Sequence, residues 1–467
     1  MATDLAFLAR ARGRIPPKTA ARLLELVALV VTLCASAKWL GRALPRFLPR
    51  DWATAHDFDA LVDWKAARLF LHGLSPFSRA GLAELNVQQF GHPPTAPFWF
   101  IPLGGFDKAL AAELMSLSVC VCLVVHVAIC LKELRFPAPV VLTILLSSAF
   151  FATDAMFIHF IFIQLSEYIA LAYVIAWRKL RRGEDFGAGM AVGVGITLKL
   201  FPGLAALLFL VGRKWKAFAG ACVMFLAVAL VMASTFGIRA WPRFFKMQDD
   251  VLAFWLGHVR NASLQGIVHR WFSPICEGHV PPNRVAIQTA AALALVLIVS
   301  GFVLSWPDLV RARKEDPKAI DMPFALFSAL SAFLTAWVWE HYVLILILPG
   351  FLVFSRLFGS FRTTLRAWLD ERVTLKALAI ESLAFGVGLS GFAVIAKAVS
   401  LNAAGAEQLF DLWNSRIDPS VHYLLHYYEV AKYAPWLVMI ALCFFCLARA
   451  RLAERAERRA RTVTTPI

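Results

Sequence analysis

Charge is scarce in this chain. Asp, Glu, Lys and Arg make up 17% of its 467 residues, where an ordinary soluble domain carries about a quarter. Carboxylates are scarcer still, 31 against 47 Lys and Arg, which leaves a formal net charge of +16. A soluble protein this basic would point to nucleic acid, but the chain has no RNA- or DNA-binding motif, and that class is set aside. Eight cysteines are present (Cys34, Cys120, Cys122, Cys130, Cys222, Cys276, Cys443 and Cys446). Most lie within apolar runs, where cysteine acts as a small hydrophobe. Neither Cys120/Cys122 nor Cys443/Cys446 has a second pair or a histidine at zinc spacing, so no metal or other cofactor is expected. No cleavable signal is expected either, because the first apolar run starts near Leu23, is too long and lacks a small-residue cleavage site. An internal repeat, frequent in transporters, is also missing.

Apolar sequence is what remains. Hydrophobic residues are 60% of the chain and the mean hydropathy is +0.66. About thirteen apolar stretches follow one another, several of them near the roughly 20 residues a spanning helix needs. Only helices and closed barrels satisfy their own backbone in lipid, and continuous runs of this kind are helical, since barrel strands alternate. The expected fold is an all-α polytopic bundle of about 11–13 transmembrane helices, with the count open around residues 94–131, where Pro97 to Leu103 is either a half-helix or the start of a kinked span reaching Leu131.

Basic residues sort to one side. Arg10, Arg12, Arg14, Lys18 and Arg22 precede the first span, and Arg178 to Arg182, Arg213 to Lys216, Arg311 to Lys318, Arg356 to Lys376 and Arg449 to Arg461 follow later ones. The positive-inside rule makes these faces cytoplasmic, with both termini among them. The expected division is a basic N-terminus over residues 1–22, one membrane domain over 23–447 and a basic tail, a short helix of its own, over 448–467. The same map places the loop after the first span, Lys199, Arg270 and His341 together on the opposite face. Expected spans include His159 to Trp177, Val285 to Leu304 and Ala377 to Ala396.

The candidate chemistry lies on that opposite face. Residues 45–92 form a long outer loop, and long loops are usually functional. Within it Phe58 to His72 has apolar residues at helical spacing and is expected to form an amphipathic surface helix. It offers three carboxylates, Asp57, Asp59 and Asp63, either as a general base or as helix caps and a solvated face. His92-Pro93-Pro94 closes the loop with a rigid, extended entry into the next apolar segment. Lys199, between apolar helices, is either a phosphate-holding point charge or a snorkelling lysine. Asn261-Ala262-Ser263 and His269-Arg270 lie in a later outer loop, where arginine suits phosphate or is simply solvated. Trp339-Glu340-His341-Tyr342 sets an acid and an imidazole between two spans, flanked by aromatics that suit an interface belt.

In this order the pieces resemble glycosyltransferase family 87 of the GT-C superfamily, which uses polyprenyl-phosphate sugars. The resemblance rests on Asp59 with Trp64-Lys65-Ala66-Ala67-Arg68 and His72-Gly73-Leu74-Ser75-Pro76-Phe77, on Phe90-Gly91-His92-Pro93-Pro94, on Lys199-Leu200-Phe201-Pro202 with Arg213-Lys214-Trp215-Lys216, and on Asn261-Ala262-Ser263-Leu264, Arg270 and Trp339-Glu340-His341-Tyr342. It covers about residues 20–355. His92 stands for a tyrosine, and Ala60 and Asp63 for aromatics, which leaves the register of the acid open between Asp59, counted back from Trp64, and its neighbours Asp57 and Asp63.

The resemblance implies an inverting hexosyl- or pentosyltransferase of the cell envelope, of mannosyl- or arabinofuranosyltransferase type, in the inner (plasma) membrane with a periplasmic active site. It implies a polyprenyl-phosphate-sugar donor, a lipid-linked or glycan acceptor and membrane lipids as partners. Asp59 becomes the general base. Lys199, Arg270 and His341 become the phosphate ligands, and His92, Asn261 and Glu340 line the substrate site. A transporter or flippase of lipid-linked saccharides is the alternative.

Overall fold

The computed structural model describes residues 60–85, 91–136, 139–153, 155–156, 159, 163–258, 261–272, 283–357 and 420–463, with isolated positions before residue 42. The expected first and penultimate spans, the termini, and Asp57 and Asp59 lie outside the described residues.

The protein is an all-α polytopic membrane protein. The helices are α1 (Ala60–Leu71), α2 (Arg79–Leu85), α3 (Lys108–Glu133), α4 (Pro139–Phe151), α5 (Ser166–Arg181), α6 (Asp185–Leu198), α7 (Gly203–Val211), α8 (Trp215–Phe236), α9 (Ala240–Trp255), α10 (Leu264–Phe272), α11 (Arg284–Lys314), α12 (Asp321–Phe333) and α13 (Ser420–Val463), with 3-10 helices at Ala96–Leu103 and Glu340–Leu346. Among the described residues four helical segments are long and apolar enough to cross a bilayer: α3, α8, α11 and Tyr433–Leu452 within α13. Leu117 and Val121 of α3, Leu226 and Leu230 of α8, and Leu295, Val296 and Val303 of α11 stand exposed in columns. Such stripes suit lipid and would be a liability in water.

One boundary left open by the sequence is settled, and three others differ from expectation. The segment Ala96–Leu103 is a separate 3-10 helix, because Gly104 and Gly105 interrupt it and Asp107 starts α3 afresh, its side chain accepting the Leu110 N–H at 2.9 Å. α5 starts at Ser166, seven residues beyond His159. α11 continues past Pro307 to Lys314, and α13 runs unbroken through the basic tail that was expected to be a separate short helix. The two extensions hold each other. Arg451 of α13 pairs with Asp308 of α11, and Arg311 reaches Glu454 at 3.6 Å.

The bundle positions Lys199 through α6. At the N-terminal end of α6 an ionic belt gathers: Glu133 receives Arg182 at 3.0 Å with Arg178 at 3.7 Å, Arg181 reaches Asp321 at 3.6 Å, and Lys214 holds Asp185 at 2.9 Å. Lys199 ends the helix about 20 Å away, at 1.5 Å per residue. The ion pairs around Asp185 and Lys199 thus stand at opposite ends of one short helix.

α6 is held against α8 at backbone distance. A Cβ on Gly189 would lie 1.8 Å from the Ala217 carbonyl, and one on Gly220 would lie 2.2 Å from the Phe186 carbonyl. Gly189 and Gly193 are spaced as a small-xxx-small pair, the pattern that lets membrane helices approach closely. Gly220→Leu is therefore expected to lower the melting temperature of the detergent-solubilised protein, by the equivalent of at least about 1–3 kcal/mol of overpacking. An unchanged melt would show that α6 and α8 are not so close.

Candidate active site

The site grows from the point where α6 stops. Lys199 is extended (φ −149°, ψ 144°), its N–H still bonding the Gly195 carbonyl, and Pro202 then opens the short α7. Residues before a proline are pushed out of helical geometry, and a chain that turns back here projects Lys199 sideways. Its Nζ donates to the Tyr342 hydroxyl at 2.5 Å and lies 4.9 Å from the centre of that ring. Phe201 packs on the other side of Tyr342, with ring centroids 5.8 Å apart. A lysine from one segment thus meets the Trp339-Glu340-His341-Tyr342 segment 143 residues later in sequence.

The outer-loop acids enter through His92. Asp63 is completely buried on α1, and its Oδ2 lies 2.7 Å from His92 Nδ1. The surface helix expected over Phe58 to His72 is a helix from Ala60 to Leu71, with Leu61, Trp64 and Ala67 buried alongside Asp63. The Trp64 indole N–H donates to the Leu103 carbonyl at 2.9 Å, which fastens α1 to the 3-10 segment. That segment is fastened in turn to α6: Thr95 Oγ1 donates to the Thr197 carbonyl at 2.7 Å, and the Trp99 indole N–H donates to Thr197 Oγ1 at 2.9 Å. Two buried contacts, Asp63 with His92 and Thr95 with Thr197, thus fasten the segment from His92 to Thr95 between α1 and the end of α6, two residues before Lys199.

Asn261 ties in the later outer loop. Completely buried, it donates to the Ala336 carbonyl at 3.0 Å and accepts the Val338 N–H at 3.0 Å, while its neighbour Ser263 also donates to Ala336 at 3.0 Å. The Ala262 N–H bonds the Val338 carbonyl at 2.8 Å. Asn261 thus clamps two backbone segments together, and this clamp fixes where Trp339 to Tyr342 begin. Asn261→Ala leaves several buried backbone groups unpaired, each costing about 1–3 kcal/mol. A fall in melting temperature of several degrees or more is expected, with transfer lost in proportion to folded protein.

Arg270 approaches the same segment. Its Nη1 donates to the His258 carbonyl at 3.0 Å, and His258, Trp255 and Trp339 form an aromatic cluster with centroids 5.0 to 5.4 Å apart. The adjacent His269 is buried. Burial first, and the Arg270 charge second, push its imidazole below the ordinary value, so it stands neutral and accepts the Asn283 N–H at 3.4 Å.

His341 is buried with 3% exposure and faces His159, the ring centroids 6.1 Å apart and nearly perpendicular. The His341 carbonyl accepts from Ser166 at 3.4 Å. Glu340 opens the 3-10 helix beside it.

Of the expected site residues, the structure brings Lys199 to Tyr342, the immediate neighbour of His341, and leads Asn261 and Arg270 to residues 336–339 of the same strip. His92 joins through Thr95 and Thr197. Asp57 and Asp59 lie outside the described residues. His159, Tyr342, His258 and Glu167 had no assigned role from sequence, although a histidine or glutamate inside an apolar run is a functional signal in its own right.

A cavity of about 500 Å³ opens beside the site, lined by Trp99, Leu103, Met115, Val194, Leu198 and other apolar side chains of α3, α5, α6 and α8. It reaches Leu198, the residue before Lys199. No curated protein matches the chain. The family match described next covers His92, Lys199, Asn261 and Arg270 and stops short of His341. Residues 90–322 match the model of Glycosyltransferase family 87, and the match supports placing this chain among the glycosyltransferases of that family.

Proposed function

We propose that this protein transfers a sugar from a polyprenyl-phosphate donor to a lipid-linked or glycan acceptor at the non-cytoplasmic face of the inner membrane, with inversion at the anomeric carbon. The observation that carries the reading is the meeting of Lys199 with Tyr342, the neighbour of His341, one residue on from Leu198, which lines an apolar cavity. A donor of this class has one anionic group between a sugar and an isoprenoid chain. A lysine beside an apolar slot suits that division: phosphate on the cation, first isoprene units along Trp99, Met115 and Leu198.

In the proposed step a carboxylate on the outer loop, Asp59, takes the proton from an acceptor hydroxyl. The acceptor oxygen forms the new bond to the anomeric carbon as the bond from that carbon to the phosphate oxygen breaks. The phosphate leaves with one more negative charge, still on its lipid. Lys199, Arg270 and His341 hold it, and donors aimed at a developing charge lower the barrier. Cationic side chains neutralise a single phosphate, so the step needs no metal. Glu340 belongs to the surrounding substrate wall, while His92 and Asn261, committed to partners inside the protein, shape that wall from behind.

The test is direct. Detergent-solubilised protein is given polyprenyl-phosphate donors carrying labelled pentoses or hexoses, together with an extract of membrane glycolipids. A new glycosidic bond in the lipid or glycan fraction is expected. Movement of a lipid-linked saccharide across proteoliposomes without any new bond would overturn the reading in favour of transport.

A further inference from the structure

A second imidazole stands at this site, and its hydrogen-bonding state is set by the backbone. His159 has no exposure. Its Nε2 lies 3.0 Å from the Glu167 backbone nitrogen, which can only donate. Nε2 must therefore present a lone pair, and the proton of the neutral ring sits on Nδ1. That Nδ1 is buried with no hydrogen-bond partner among the described residues, and so is His341 Nε2. The amide that sets the tautomer is itself held: it lies in the first turn of α5, where the Glu167 carboxylate is bonded by His126 Nδ1 at 3.1 Å in a fully buried pair.

An unpartnered buried N–H is expensive, about 1–3 kcal/mol, and here two unpartnered buried ring nitrogens belong to histidines that face each other. Both rings lie within electrostatic range of the Lys199 charge. Lys199, His341 and His159 come from three separate segments of chain: the two rings face each other with centroids 6.1 Å apart, and Lys199 Nζ bonds the hydroxyl of Tyr342, the residue next to His341. A group with several acceptor oxygens and negative charge satisfies them together. A neutral hydroxyl or amide answers one donor and leaves the cation's field unused.

We propose that His159 is a ligand of the donor phosphate, its Nδ1–H held ready by the Glu167 amide and directed at a phosphate oxygen between His159, His341 and Lys199. The proposal rests on the reading of this site as a polyprenyl-phosphate site and adds a residue to it. No bond to His159 is made or broken: its N–H bond to the phosphate shortens as charge develops there, and the ring keeps its proton throughout.

The experiment measures binding of a polyprenyl phosphate and of the matching polyprenol, which lacks the phosphate, to the intact detergent-solubilised protein. His159→Phe keeps the ring and removes the donor. It is expected to weaken polyprenyl-phosphate binding about 10- to 100-fold, the loss of one hydrogen bond to a charged group, and to leave polyprenol binding unchanged. Its melting temperature is expected to fall modestly, because the buried Glu167 N–H loses its acceptor, so it is the unchanged polyprenol affinity that separates a lost phosphate ligand from a general loss of structure. Wild-type phosphate affinity in His159→Phe, with affinity lost in Lys199→Met, would overturn the proposal and leave the phosphate site standing. Wild-type affinity in both would overturn the site as well. If His159→Phe fails to accumulate, the comparison passes to His159→Asn and His159→Gln. The asparagine amide overlays Nδ1 and the glutamine amide overlays Nε2, so asparagine must retain phosphate binding and glutamine lose it. Equal binding, or the reverse, overturns the proposal.

Discussion

Lys199→Met is expected to reduce kcat/KM for transfer from a polyprenyl-phosphate sugar by at least about two to three orders of magnitude, the usual loss when a preorganised charge donor at a developing anion is removed. Methionine keeps the length and apolar stem of the lysine, so the segment between α6 and α7 retains its packing and the melting temperature should change little. The reason for so large an effect is the setting of the ammonium group. Lys199 lies where α6 gives way to the α7 turn, with Tyr342 beneath it and apolar helices on either side. Charges placed in such surroundings are rare and costly and act over a low dielectric. Lys199→Arg retains the charge but spreads it over a planar fork that cannot donate to the Tyr342 hydroxyl from the same point, and an intermediate rate is expected. Tyr342→Phe removes only the hydroxyl that holds Nζ at 2.5 Å. The cation remains, less tightly placed, and a loss of about tenfold is expected, the scale of one hydrogen bond to a charged group. The measurement is steady-state kinetics on protein shown by thermal melt to be folded. Turnover within a few-fold of wild type in Lys199→Met would remove the phosphate reading of this site.

The architecture was legible because lipid leaves a chain few options. Runs such as Lys108–Glu133 and Trp215–Phe236 have no other way to satisfy their backbone, and the break at Lys199-Leu200-Phe201-Pro202 falls where proline forbids helix. Helix ends were legible only where a local signal decides them. Where distant ion pairs decide them, as between the extensions of α11 and α13, hydropathy alone stops the span too early. The site shows the same division. Lys199 and His341 announce themselves as polar residues among apolar ones. His159 does so equally, yet in sequence it reads as the entry to a span. Its partnership with the Glu167 amide, eight residues on, depends on how the chain enters α5, which no spacing reveals. Asn261 illustrates the converse case. The sequence marks it as polar and loop-borne, a natural substrate ligand, while the fold gives its amide to the Ala336 and Val338 backbone. The shape of the strip then depends on it.

Two of the three outer-loop acids, Asp59 and Asp63, separate by experiment into a base and a structural member. Asp59→Asn is expected to abolish transfer, by about two to four orders of magnitude as for a lost general base, with an unchanged melting temperature and unchanged polyprenyl-phosphate binding, because asparagine keeps the size of the side chain and the donor does not use its proton-accepting oxygen. Asp63→Asn should behave differently. Asp63 is completely buried and shares His92 at 2.7 Å, in the path that leads through Thr95 to Thr197. Replacing the Asp63 carboxylate by an amide weakens the buried bond to His92, a hydrogen bond to a charged group worth about 1.5–3 kcal/mol. A marked fall in melting temperature is expected, and transfer falls with it as the Thr95–Thr197 fastening loosens. The double substitution Asp63→Leu with His92→Phe replaces the pair by apolar groups and should regain part of that stability, since exchanging both partners is far less harmful than exchanging one. These outcomes are opposed at each position. If Asp63→Asn silences transfer with its melt intact while Asp59→Asn still turns over, the proton acceptor is Asp63, four residues further along the chain, and His92 becomes the group that orients it.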